Sequence, residues 1–384
     1  MRKLAVILII LPCFLLTGCW DAREINELAF VLSIGLDKTD NGFKVTAQIA
    51  SPETYSKTPS GTGSSQTKPF WIVTSTGRTI FEAIRNMASK SSRRIFWAHI
   101  KVIIISEKLA KGNTLEIFDF FTRNPELRLR TLIAVTPDEA EDIIKIQPEM
   151  EKDPAVYLEK VIENKSLTGK SYSTMLKDFI EDYLDTFTGP VVSRLVIEKS
   201  GPRPIVKTSG AYVFDGDKLS VPLDEVQTRG LLWIKNKMDG SIMVVNCPED
   251  GNPVTLEIKK AGSSMKSQIE SGIPHFIINV KAEANITEQS CVTDFNDRKK
   301  LDELSKALEK AIASDIQSTI AVAQDIDIDF PALNSVLHTQ HKEEWHDIAS
   351  DWSKLFRNSQ VTVTAKVAIH HVSLAKPLTP IKTK

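Results

Sequence analysis

An apolar run of thirteen residues, 4–16, follows the basic pair Arg2-Lys3 and ends in Leu16-Thr17-Gly18-Cys19. A helix needs about twenty apolar residues to cross a bilayer, so this run reads as a signal peptide, residues 1–18, and not as a membrane span. Small residues directly before a cysteine at the end of such a run mark a bacterial lipoprotein. Cleavage before Cys19 would free a thiol and an amine that both take acyl chains, and everything downstream would fold outside the cytoplasm, tethered at its first residue. Each buried CH₂ contributes about 0.8 kcal/mol and a single chain holds only marginally, so two or three chains make the attachment lasting. The bland alternative is a secreted protein in which Cys19 is incidental.

The remaining residues suffice for two or three domains with sizeable cores. The chain has 48 Lys and Arg against 49 Asp and Glu, a balance that implies neither nucleic acid nor bulk anionic lipid as a partner. Of its four cysteines, Cys13 leaves with the signal and Cys19 takes lipid. Cys247 and Cys291 remain, either bridged or buried as free thiols.

Alternation of Phe43, Val45, Ala47 and Ile49 with polar residues predicts a strand over 41–50, and residues 57–68 are too polar and glycine-rich to pack, so they read as a long loop. A strand at 70–75 precedes a helix carrying Ile80, Ala83, Ile84, Met87 and Ala88 at helical spacing. The β-branched run Ile100, Val102, Ile103, Ile104, Ile105 predicts a strand buried in a sheet. Asn113 is the expected cap of a short helix through Phe121, and residues 128–135 form a further strand. Thr136-Pro137-Asp138-Glu139 has the pattern of an N-cap, a proline at the first helical position and a capping-box glutamate, opening a mostly helical stretch to 187. Strand character returns at 191–198.

The glycine and two prolines within 199–204 suit neither a helix nor a central strand, which places the main division there. The expected organisation is an N-terminal unit over 19–198 with a sub-boundary near 136, a C-terminal unit over 205–374, and a frayed tail over 375–384. In the second unit, Asp215-Gly216-Asp217 reads as a tight hairpin turn. Strands follow at 242–246, 254–260 and 276–286. Leu301, Leu304, Leu308, Ile312, Ile316, Ile320 and Ala323 form one stripe over 297–324, a helix of about 42 Å. Trp345, Ile348, Trp352, Leu355 and Phe356 predict a last helix, and 361–369 a last alternating strand. The fold class is α+β and multi-domain, with largely antiparallel sheets packed against helices.

No phosphate-cradling glycine loop, nucleophile elbow or paired-cysteine metal motif stands out, which argues against an enzyme. His338, His341 and His346 crowd one segment, but the five-residue spacing of His341 and His346 puts them on different helix faces, unlike a zinc-protease pair. Asp325, Asp327 and Asp329 alternate with isoleucines without the glycine and terminal acid of a calcium loop, so they read as a charged edge or loop. Arg93-Arg94, ahead of Ile95-Phe96-Trp97, suits an anion or headgroup, or the plain solvation of a strand edge. No catalytic residue, cofactor or metal ligand is assigned; Cys19 is the one site residue.

Gly18-Cys19-Trp20-Asp21 with Arg23-Glu24-Ile25, followed by Ile34-Gly35-Leu36-Asp37, resembles the Ger(x)C family of spore germination lipoproteins. The likeness continues through Gly77-Arg78-Thr79-Ile80 with Glu82-Ala83, through Arg94, Phe96, His99 and Glu107, and through Asp119-Phe120 with Arg123 and Glu126. In the second half it takes in Gly210-Ala211-Tyr212-Val213-Phe214, Asp217-Lys218-Leu219, Glu225, Gly230 and Trp233-Ile234. The match loosens from Asp325 to Trp352, where Asp327-Ile328-Asp329-Phe330 replaces the aromatic and glycines of many members. The resemblance implies a non-catalytic C subunit of a GerA-type nutrient germinant receptor. It implies lipid anchoring to the outer face of the inner spore membrane, beside integral membrane A and B subunits. The rival readings are a solute-binding lipoprotein of a membrane transporter, which should show parallel βαβ units, and a lipid-anchored envelope hydrolase.

Overall fold

The structure is a computed structural model that describes residues 27–50, 70–112, 114–124, 126–164, 168–199 and 201–370. The expected signal peptide, Cys19 and its surrounding motif, the loop at 57–68, the cap Asn113 and the tail over 375–384 lie outside the described residues.

Along the chain, β1 (Leu28–Thr39), β2 (Gly42–Ala50) and β3 (Phe70–Gly77) precede α1 (Ile80–Ala88), β4 (Arg94–Phe96) and β5 (Val102–Ser106). Helices α2 (Glu107–Ala110) and α3 (Leu115–Arg123) lead to β6 (Leu132–Thr136), and α4 (Ala140–Lys145), α5 (Pro154–Glu163) and α6 (Leu176–Leu184) lead to β7 (Val191–Glu198). Strands β8 (Ile205–Asp215) and β9 (Lys218–Leu223) follow, then α7 (Glu225–Ile234), β10 (Ser241–Asn246), β11 (Pro253–Glu270) and β12 (Ile273–Gln289). The chain closes with α8 (Arg298–Asp325), α9 (Leu333–Gln340), α10 (Lys342–Ile348), α11 (Trp352–Asn358) and β13 (Gln360–His370).

The class is α+β, in two sheets. The first runs β3-β2-β1-β5-β6-β7-β8-β9, with β4 beside the start of β1. Its margins are antiparallel hairpins, but β1, β5, β6 and β7 run parallel at its centre. Hairpin signals are local and readable; a parallel pairing is made through a crossover and leaves only an uninterrupted apolar run as its trace. β5 and β6 are that trace, buried at every position. Ile103, Ile105, Ile133 and Val135 pack beneath α1, α3 and α6, while Val102, Ile104, Leu132 and Ala134 pack against α4 and α5 on the opposite face.

The stretch 199–204, where a division was expected, lies between two strands of this one sheet: Glu198 and Ile205 on either side of it are register partners. Sheet continuity therefore carries 205–223 with the first sheet. α7 ties the halves together, since Leu231, Leu232, Trp233 and Ile234 share a core with Ala211, Val213 and Leu223 and with the second sheet.

The second sheet runs β10-β11-β12-β13. β11 and β12 extend beyond the expected strands and turn at Ser271-Gly272, both with positive φ (52° and 80°), as a two-residue hairpin turn demands. α8 begins where expected, with Asp297 accepting from the Lys299 N–H at 2.8 Å, and its stripe lies on Leu256, Ile258, Phe276, Ile278 and Val280. α7 crosses α8 at Gly230, where a Cβ would stand 2.3 Å from the Asp315 carbonyl oxygen, so only glycine permits this approach. Beside it, Arg229 donates to both carboxylate oxygens of buried Asp315 at 2.6 and 3.1 Å.

Three local expectations are corrected. Thr136 is not a helix cap, because it ends β6 opposite Ser106; α4 starts only at Ala140. The strand expected from 128 begins at Leu132, after a turn closed by the Thr131 N–H on the Arg128 carbonyl. The single last helix is broken, with a 3₁₀ turn at Ala349–Asp351 between α10 and α11.

Candidate functional site

Many of the residues that carry the family likeness gather around α1, β4 and α3. Gly77 ends β3 where a Cβ would meet the Ala83 amide at 2.4 Å, which lets α1 turn back directly onto the strand. Thr79 caps that helix by accepting the Glu82 N–H at 3.1 Å, and Glu82 in turn accepts the Arg78 N–H at 2.7 Å. The amphipathic face so fixed places Ile80 and Ile84 over Ile95 and Trp97, and together they floor a groove of about 860 Å³.

The groove walls are charged and aromatic. On the α1 side the Arg85 guanidinium lies 4.8 Å over the Phe81 ring, which is 51% exposed. On the α3 side Arg123 donates to Asp119 at 2.6 Å, and Arg94 of β4 reaches Glu126 at 3.3 Å. Arg93, Glu116 and Phe120 also line it. An apolar floor beneath guanidinium and carboxylate groups suits binding through ion pairs and aromatic contact. Arg94, Asp119, Phe120, Arg123 and Glu126 thus come together, and Arg93-Arg94 stands at a groove wall. β4 pairs with residues 28–30, so the groove adjoins the start of β1.

Other residues of the likeness hold the fold. The buried Asp37 carboxylate accepts the Ala140 N–H at 2.7 Å and the Glu141 N–H at 3.0 Å, capping α4 from 103 residues away. Gly35 lets that helix end approach, since a Cβ would meet Ala140 at 3.0 Å. Burial pushes the Asp37 carboxyl up, while the two amides and Lys44 pull it back. The Tyr212 hydroxyl donates to Glu107, and burial together with that carboxylate raises the phenol. His99 lies between Phe30 and Phe96, with ring centroids 5.0 and 5.7 Å away, and burial with nearby Arg128 lowers its pKa.

The polar clusters set aside on spacing are also accounted for. His338 stacks on Trp345 with centroids 5.7 Å apart, and His341 Nε2 lies 2.9 Å from the Ser267 carbonyl oxygen, while His346 faces outward. Asp329 turns inward and caps α9, accepting the Leu333 and Asn334 N–H groups at 2.8 and 2.7 Å. Cys247 and Cys291 are free and buried.

Residues 21–197 match the family model described as the spore germination protein N-terminal domain, and residues 209–373 match the spore germination B3/GerAC-like C-terminal model. Spore germination protein KC of Bacillus subtilis (strain 168) is 27% identical over 374 residues, covering 92% of this chain and 91% of that protein. Spore germination protein B3 of the same organism is 27% identical over 348 residues, covering 89% and 90%. The crystal structure of the GerBC protein is similar in fold, with a TM-score of 0.56 at 21% identity, covering 88% of this chain and 96% of that one. With an N-terminal and a C-terminal model of one family matched in order along both halves, this chain belongs to the Ger(x)C family of spore germination proteins.

Proposed function

We propose that this chain is the lipid-anchored C subunit of a spore nutrient germinant receptor, working without catalysis beside integral membrane A and B subunits on the outer face of the inner spore membrane. The observation that carries this reading is the match of both halves to one family whose relatives are named for spore germination over nearly their whole length. The cysteine-terminated signal supports the anchor, and no helix among the described residues is long and apolar enough to cross a membrane. Between Cys19 and the start of β1 at Leu28 the chain can span at most about 32 Å. A tether that short confines the folded part to a thin layer above the lipid and raises its effective concentration against membrane partners, so docking needs little intrinsic affinity.

The test is germination against a panel of amino acids, sugars and nucleosides in a strain whose other receptors have been removed. Deleting this chain should abolish the remaining response; an unchanged response would refute the receptor role. The parallel centre of the first sheet favours a second reading, a solute-binding lipoprotein. That second reading predicts lost uptake of a labelled nutrient in the deletion strain with germination intact.

A further inference from the structure

At one end of the second sheet, the β10–β11 turn meets the exit of β12, because Asn246 pairs with Pro253 and Val254 pairs with Gln289. That register brings Cys247, Asp250 and Cys291 together, with both sulfurs and a carboxylate oxygen within 4.8 Å of one another. We propose that these three residues form a zinc site.

The turn is shaped for it. In Cys247-Pro248-Glu249-Asp250-Gly251 two donors stand three residues apart, the spacer found in the C-x₂-C turns of structural zinc sites, with aspartate in the second place. The Gly251 N–H closes the turn on the Cys247 carbonyl at 3.0 Å, and Gly251 has φ +73°, so the chain reverses immediately after the second donor. Asp250 is oriented by the Asn252 backbone and side-chain N–H groups at 3.0 and 2.8 Å, which fixes the carboxylate as outer contacts fix metal ligands. Without metal, Thr293 Oγ1 gives its hydrogen to Glu249 at 2.8 Å and accepts from the Cys247 thiol at 3.0 Å, a bond that metal binding would break.

Tetrahedral zinc holds such donors about 3.8 Å apart, so closing the site needs a contraction of at most about 1 Å. The thiols are only 2% and 5% exposed, but Asp250 is at the surface, giving the ion a way in and a fourth position for water. On binding, the two thiol protons leave to solvent and zinc bridges two thiolates and a carboxylate. The ion would pin the β10–β11 turn to the segment that leads into α8. A borderline cation such as zinc takes thiolate and carboxylate donors together, whereas a disulfide would join the two sulfurs alone.

The test titrates cobalt(II) into the intact protein, held reduced in detergent and stripped with chelator. The expected result is one ion per chain, with thiolate-to-cobalt charge-transfer and tetrahedral visible bands, both displaced by zinc. Cys247→Ser and Cys291→Ser should abolish the charge-transfer band. Asp250→Asn, at a surface position that leaves folding intact, should weaken cobalt binding by about tenfold or more. Absence of the band while both thiols react with an alkylating reagent would overturn the proposal. So would a band that survives in both serine variants, or a Cys247–Cys291 disulfide in protein isolated without reductant.

Discussion

The two sheets bury their carboxylates in different company. In the first, Asp37 caps a helix with Lys44 3.7 Å away, and that lysine also bridges Glu139 at 3.0 Å and Glu141 at 2.9 Å. Glu141 is held at about 2 by its hydrogen bond to Lys145, against burial and with help from Lys44. In the second, Asp329 performs the same cap for α9, but the atoms bonded to it are backbone amides, and burial pushes it up to about 6. Amide hydrogen bonds and a nearby lysine both lower a buried carboxyl; at Asp329, with no lysine bonded to it, burial outweighs its two amides and the cap titrates close to neutral pH. Burial raises both caps, but Lys44 stands beside Asp37 and opposes the rise, so Asp329 should report on pH near neutrality more strongly than Asp37.

Four perturbations sharpen that contrast. The largest effect should come from Arg229→Ala, which strands the buried Asp315 carboxylate and should cost about 3–5 kcal/mol in urea unfolding. Replacing both partners with apolar side chains, Arg229→Met together with Asp315→Leu, removes the stranded charge and should recover most of that loss. Asp37→Ala leaves two amide donors at the buried end of α4 without their acceptor and should cost about 2–4 kcal/mol, with Asp37→Asn intermediate.

Next is pH. The folded value of Asp329, about 6, lies above its reference of 3.8, so the folded state binds more protons between those values. Its stabilisation is fully present below the lower value and is lost as pH rises through about 6. Lowering pH from 7 to 5 should thus raise the melting temperature, by an amount worth about 1–3 kcal/mol, and Asp329→Asn should flatten that dependence. Buried Asp315 and half-buried Asp182 on α6 are shifted in the same direction and add to the trend, while His99, shifted down, opposes it. The smallest effect should be that of Arg94→Ala at the groove wall, below about 1 kcal/mol, because the Arg94–Glu126 pair is solvent-exposed.

Much of the framework was legible because its signals are local. The alternation of β2, the stripe of α1, the hairpin turn at Gly216 and the whole of α8 with its Asp297 cap stand where periodicity and capping chemistry placed them. What escaped is long-range. Thr136 to Glu139 has a complete local capping pattern, yet strand pairing claims Thr136, and the real cap comes from Asp37 across the sheet. The parallel centre was hidden for the same reason. The polar half of the β11–β12 hairpin shows no clean alternation, and its two-residue turn is Ser-Gly, without an Asn-Gly or Asp-Gly signal. At the candidate groove, Arg94 stands 32 residues from Glu126, and neither it nor the neighbouring pair Arg123 and Glu126 carries motif chemistry. Family resemblance singled them out, and packing of α1 and α3 brings them together.

The proposal of a lipid-anchored receptor subunit is tested most directly by Cys19→Ala in spores, following membrane retention of the chain and nutrient-triggered germination together. The account predicts release of the protein from the inner membrane fraction and a germination rate lower by about tenfold or more, as expected when a tethered partner is diluted. Full membrane retention with an unchanged germination rate would contradict it.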